Sequence, residues 1–175
     1  MFGLTSNKGA SGTGTIVINQ PVDKVFNFIA VDFFDNYPRW SPEVQELELL
    51  SKPPLQLNSL VRQVRIDNMQ RSESTFKITT YKVGEKLVFE GVSNAYRCSY
   101  DFTSTNPSTS TQLAFTFELL KLELFMLPFE KLVHIAVQEG AKRTVRNLKN
   151  LIEPTFRTPA IRNQHISEHT AHPVG

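Results

Sequence analysis

The segment PFEKLVHIAVQEGAKRTVRNLKNLIE, Pro128 to Glu153, decides the fold. Phe129, Leu132, Val133, Ala136, Val137, Gly140, Thr144, Leu148, Leu151 and Ile152 recur every three or four positions, as one face of a helix must. Pro128 suits a first helical turn, Glu130 suits the positive end of the helix dipole, and Lys142, Arg143, Arg146 and Lys149 gather toward the negative end. The pattern predicts one amphipathic helix. At ~1.5 Å per residue it would extend on the order of 36 Å, so something broad must cover its apolar stripe. Upstream, only a run of strands is broad enough.

Those strands announce themselves by period-two alternation. The expected runs are Gly14 to Ile18, Val44 to Leu50, Ser59 to Asp67, Glu73 to Tyr81, Lys86 to Glu90, Ala95 to Thr103 and Thr111 to Leu120. Tyr96, Cys98, Tyr100 and Phe102 alternate with Arg97, Ser99 and Asp101; Leu113, Phe115, Phe117 and Leu119 alternate with Ala114, Thr116 and Glu118. One face is apolar and the other polar. The connections DNMQR, KVGE, GVSN and TNPSTS are hairpin-sized, which predicts a sequential antiparallel meander.

Between the first strand and the meander lies NQPVDKVFNFIAVDFFDNYPRWSPEV. Val22, Val25, Phe26 and Ile29 form the face of a short helix started by Pro21. Phe33, Phe34, Tyr37 and Trp40 follow. Pro38 and Pro42 prevent a long second helix, so Trp40 belongs to a turn or bent short helix that carries its ring against the core.

Residues 1–13 read as a flexible leader. Their GASGTG is no phosphate loop, because its glycines precede a strand instead of linking strand to helix. The expected domain spans residues 14–153, and 154–175 form a polar, proline-containing tail. Its His165, His169 and His172 have neither a cysteine nor a supporting shell, so no metal is expected there.

With 175 residues and 40% hydrophobic content, one core is expected. The single cysteine, Cys98, cannot form an intramolecular disulfide, and no signal-like segment opens the chain, which points to an intracellular, cytoplasmic protein. Apolar runs are interrupted by Glu118, Lys121 and Glu123, short of the ~20 residues of a membrane helix. The net charge of +2, from 19 basic and 17 acidic residues spread along the chain, leaves no footprint for nucleic acid. A protein partner is not legible.

The order of elements, the PVDKVFNFIAVDFFDNYPRWSPEV segment with its Trp40-Ser41-Pro42 corner, and the VRNLKNLIE helix end resemble the START/Bet v 1-like helix-grip superfamily, especially its polyketide cyclase/dehydrase and lipid-transport branch. The resemblance covers roughly Thr13 to Glu153. It implies an α+β helix-grip fold, a curved antiparallel sheet around the C-terminal helix, with a cavity for a hydrophobic ligand between them. Ala136 and Gly140 would leave room on the helix, Phe76, Phe89, Tyr96, Tyr100, Phe115 and Phe117 would supply the walls, and Trp40 with its loop would form part of the mouth.

Two functions fit. One is a binding module that carries, senses or presents a lipid, isoprenoid, quinone or polycyclic molecule without a cofactor. The other is a cyclase, aromatase or dehydratase, which needs an acid/base group in the cavity. Glu90, Arg62, Arg65 and Tyr96 are the strand-borne candidates, each expected to be outward or structural. His134 shares a polar helical row with Glu130 and Gln138 and is expected at the surface. No hydrolase elbow, zinc motif or dinucleotide fingerprint is present, so binding leads.

Overall fold

Seven strands form one antiparallel sheet in the order β1-β7-β6-β5-β4-β3-β2 in the structure, a computed structural model that describes residues 9–107 and 109–153. Chain order gives β1 (Ala10–Ile18), α1 (Val22–Phe26), α2 (Phe33–Trp40), β2 (Val44–Leu49), β3 (Leu60–Asp67), β4 (Gln70–Lys82), β5 (Lys86–Gly91), β6 (Tyr96–Asn106), β7 (Ser110–Leu119) and α3 (Glu130–Ile152). Strands β2 to β7 are the meander, and β1 returns to pair with β7 from Ala10↔Leu119 to Ile18↔Thr111. The α+β helix-grip architecture is as expected. The tail histidines His165, His169 and His172 lie outside the described residues.

Two expectations about the ends of elements are corrected. Strand β1 begins at Ala10, so Ser11, Gly12 and Thr13 belong to the sheet and not to the leader. Its glycines serve a close approach: a Cβ on Gly12 would fall 2.5 Å from Gln138 Cα, and one on Gly14 would fall 2.5 Å from the Ala141 carbonyl oxygen. Helix α3 starts at Glu130, because Leu124–Phe129, including Pro128, forms a tighter 3-10 turn before it.

That close approach sets where α3 sits. It lies over β1 and β7 and touches α2, with Val137, Ala141, Val145 and Leu148 as its buried line. Phe129 and Leu132 of the expected stripe are instead exposed, while Ala136 and Gly140 flank open space. The buried line is turned from the expected stripe because the helix axis runs over the sheet's edge rather than its middle. Gln138 is likewise no mere surface residue: its amide accepts from Thr13 N (3.1 Å) and donates to Thr13 O (2.7 Å), satisfying the exposed edge of β1. Lys149 donates to Val17 O at 2.6 Å, and the Glu153 carboxylate accepts from Asn19 N. His134 is exposed as expected, 4.0 Å from Glu130.

The concave face of the sheet is filled unevenly. A π-helical turn, Asn27–Val31, joins α1 to α2, and together they plug one end. Phe26 meets Tyr81 and Phe102 edge-on at 5.6 and 5.2 Å, and Phe33 stacks on Tyr37 at 4.7 Å. Trp40 closes α2, 2% exposed, with Asn147 of α3 donating to its carbonyl oxygen at 3.2 Å. At the other end nothing comparable enters from among the described residues.

Candidate functional site

What remains there is a half-open cavity of about 720 Å³ between sheet, α2 and α3. The small residues are what keep it open: nothing lies within 4 Å of a Cβ built on Gly140. Of the nine residues expected to form the pocket, seven border this space: Trp40, Tyr96, Tyr100, Phe115, Phe117, Ala136 and Gly140. Phe76 and Phe89 do not. They pack on each other at 4.5 Å and edge-on against Phe33 at 6.1 and 6.0 Å, fully buried. They point to the concave face, but α2 covers that part of it, so they form solid core behind the cavity.

Cross-strand register assembles the wall. Tyr100↔Phe115 and Cys98↔Phe117 pair directly, and paired residues share a face, which gives one apolar aromatic side. Trp40 Nε1 donates to the Tyr100 hydroxyl at 3.3 Å, tying α2 to that wall. Gln63↔Ser74 and Arg65↔Ser72 pair on β3 and β4, which gives a polar side. Tyr96 bridges the two. Its ring lies over Gly91, where a Cβ would meet it at 2.6 Å, so its hydroxyl reaches across β5 and β4 to accept from Gln63 Nε2 at 3.0 Å.

The strand-borne charges sort by phase. Arg62 points outward into a cluster with Glu73 (2.7 Å), Glu46 (3.2 Å) and Glu48 (3.7 Å), and Glu90 pairs outward with Arg97 at 3.0 Å. Both outward expectations hold. Arg65 is different: it faces the cavity, as its phase with Val61 and Gln63 requires. Its guanidinium donates to Ser41 Oγ and Asp67 Oδ2, each at 3.3 Å, and lies 3.8 Å from Glu43. Burial opposes its charge, but the Tyr37 oxygen together with the carboxylates of Asp67 and Glu43 more than offsets that and holds it protonated. Glu43, Asp67 and Arg143 also border the cavity, and no sequence signal marks any of these three as part of a pocket. Gln63 was missed as well.

The hydroxyls and the thiol on the wall are neutral. Burial pushes the phenols of Tyr37, Tyr96 and Tyr100 well above the usual range, and it raises the Cys98 thiol similarly. These phenols can donate hydrogen bonds at neutral pH, but they are not bases there. Among the described residues no group of three or more His, Cys, Asp or Glu side chains is placed to hold a metal ion, and no helix is long and apolar enough to cross a membrane.

Known proteins share this architecture. The Zhui aromatase/cyclase of a Streptomyces species superposes with a TM-score of 0.69 at 14% identity, covering 87% of this chain and 99% of that one. A START superfamily protein from Mycobacterium smegmatis gives 0.65 at 13% identity, covering 81% and 96%. A conserved Enterococcus faecalis protein of unknown function gives 0.60 at 20% identity, covering 89% and 78%. At such identities the likeness concerns the fold alone. No curated protein matches the chain by sequence. Residues 10–153, nearly the whole described domain, match the family model for polyketide cyclase / dehydrase and lipid transport. By that match the chain belongs to the polyketide cyclase/dehydrase and lipid transport family, and its fold is START-like.

Proposed function

We propose that this protein binds a hydrophobic small molecule, a lipid, isoprenoid, quinone or polycyclic compound, in the cavity between the sheet and α3, and carries, senses or presents it. The observation that carries this reading is the half-open space of about 720 Å³ lined by Trp40, Tyr100, Phe115 and Phe117. Its size and its aromatic wall facing a polar side suit an apolar ligand with a polar end, of the drug-like dimensions for which pockets run roughly 300–1,000 Å³. The family and fold support the same general class of role.

A specific observation keeps the enzymatic alternative in view. Arg65 faces the cavity beside the hydroxyls of Tyr37 and Tyr96, so a ligand carbonyl could be polarised by a fixed cation while Glu43 or Asp67 handles a proton. A cyclase, aromatase or dehydratase would use such a set. Native mass spectrometry of the purified protein, followed by solvent extraction, tests the binding reading directly. A retained apolar molecule, released unchanged after incubation, supports a carrier; release of a cyclised or dehydrated product supports the enzyme. A protein that retains nothing and binds no lipid, quinone or polycyclic probe contradicts both.

A further inference from the structure

Resting on the binding reading, we propose that the cavity selects a neutral ligand bearing a hydroxyl group, which hydrogen-bonds the amide head of Gln63 while the ligand's apolar body lies against Trp40, Tyr100 and Phe115. Gln63 is 3% exposed, stands on the cavity-facing phase of β3, and borders the cavity. Its amide nitrogen is fully engaged, donating to Ser74 Oγ at 3.2 Å and to the Tyr96 hydroxyl at 3.0 Å. Its carbonyl oxygen, Oε1, is buried without any protein partner, alone in that respect among the side-chain atoms of the described residues. Buried acceptors are almost always satisfied, so this orphan, closed off from solvent but carried by a side chain that borders the cavity, is completed by a group in the cavity once the amide turns toward it.

Water can serve when the cavity is empty. A purely apolar ligand would displace that water and leave Oε1 unpaired, whereas a ligand hydroxyl replaces it. A hydroxyl also tolerates rotation of the amide, because it donates to the oxygen or accepts from the nitrogen equally well, and Ser74 and Tyr96 can reverse their roles in step. The charge around the site argues for a neutral ligand. Arg65, two residues along the same strand, is already paired with Asp67 and Glu43, so an anion placed at Gln63 reaches that cation only by breaking those pairs, and the other cation bordering the cavity, Arg143, belongs to α3 and not to this strand.

The test titrates purified protein at neutral pH with three fluorescent polycycles that share one skeleton: hydroxypyrene, methylpyrene and pyrenecarboxylate. Wild type should bind hydroxypyrene about tenfold more tightly than methylpyrene, the ratio expected when one hydrogen bond is kept rather than lost. Gln63→Leu should bring that ratio to about one, with methylpyrene bound more tightly than by wild type because no acceptor is left for it to desolvate. Gln63→Met, equal in length, serves the same comparison if the leucine variant does not fold by circular dichroism. A wild type that binds hydroxypyrene and methylpyrene alike, or a folded Gln63 variant that still discriminates, overturns the proposal and leaves the cavity reading standing. Tighter binding of pyrenecarboxylate than of hydroxypyrene also overturns it. Failure of wild type to bind any of the three overturns the cavity reading itself and this inference with it.

Discussion

Arg62 and Arg65 lie three positions apart on one strand, and their fates differ because of parity alone. In Leu60–Asp67 one phase is Val61, Gln63 and Arg65, and the other is Arg62, Val64 and Ile66. Neither is cleanly apolar, so hydropathy does not say which faces the core. Pairing does: Val61↔Phe76 puts the first phase on the inner face and carries Gln63 and Arg65 with it. The clean alternation of Tyr96, Cys98 and Tyr100, by contrast, was legible from the sequence, and those side chains stand where it put them. Cys98 yields a prediction at this scale. Buried at 6% exposure and raised by desolvation, its thiol should remain protonated near pH ~9, where a free cysteine is largely thiolate. As the only cysteine, it should react with iodoacetamide on the order of a hundredfold more slowly in native than in urea-unfolded protein. Equal rates would show that the wall at Cys98 is open.

At the scale of elements, the position of α3 depends on Gly12, which the sequence pattern assigns to a leader, and on Gly14, which it puts at the start of the first strand. The GASGTG run lacks apolar periodicity because its residues pack by having no side chain, and a pattern search for hydrophobic alternation is blind to that signal. The helix stripe was misphased for a related reason. Ala136 and Gly140 on one side and Ala141 and Val145 on the other make two plausible faces, and only contact with Gly12 and Gly14 selects between them. A paired substitution tests this. Gly14→Ala would place its Cβ 2.5 Å from the Ala141 carbonyl oxygen and 2.8 Å from its carbon, both backbone atoms, so α3 must shift. The expected loss is roughly 1–3 kcal/mol or more, a drop in melting temperature of about 2 to 12 °C. Gly140→Ala meets nothing and should gain up to ~1 kcal/mol from helix propensity. Thermal melts that rank the two variants the other way round would show that α3 does not rest on β1 as described.

Over the whole molecule, the sheet and α3 were readable because strand alternation, hairpin lengths and helix period all agree, and the existence of the cavity but not its limits was readable with them, because those limits depend on what fails to fill a space. Phe76 and Phe89 have the same pattern as Tyr100 and Phe115, and only the placement of α2 makes one pair core and the other wall. The lining also sets the alkaline limit of stability. Burial raises Tyr37, Tyr96, Tyr100 and Cys98 above their unfolded values, so above about pH 9 the native state binds more protons than the unfolded chain. Their contribution is complete below that point and is lost as pH rises, so the melting temperature should fall progressively above about pH 9. Tyr100→Phe should make that fall shallower; an unchanged slope would mean that Tyr100 ionises freely in the folded state. The most direct measurement of the central claim is made on Gly140→Leu, whose side chain projects into space that is empty within 4 Å of its Cβ. Melting temperature and binding of a polycyclic fluorescent probe are followed on the same samples as wild type. An open, ligand-holding cavity predicts a variant that melts at the same or a higher temperature and has lost most of its probe binding. A variant destabilised by the roughly 1–3 kcal/mol of an overpacked core, or one that binds the probe as wild type does, would contradict it.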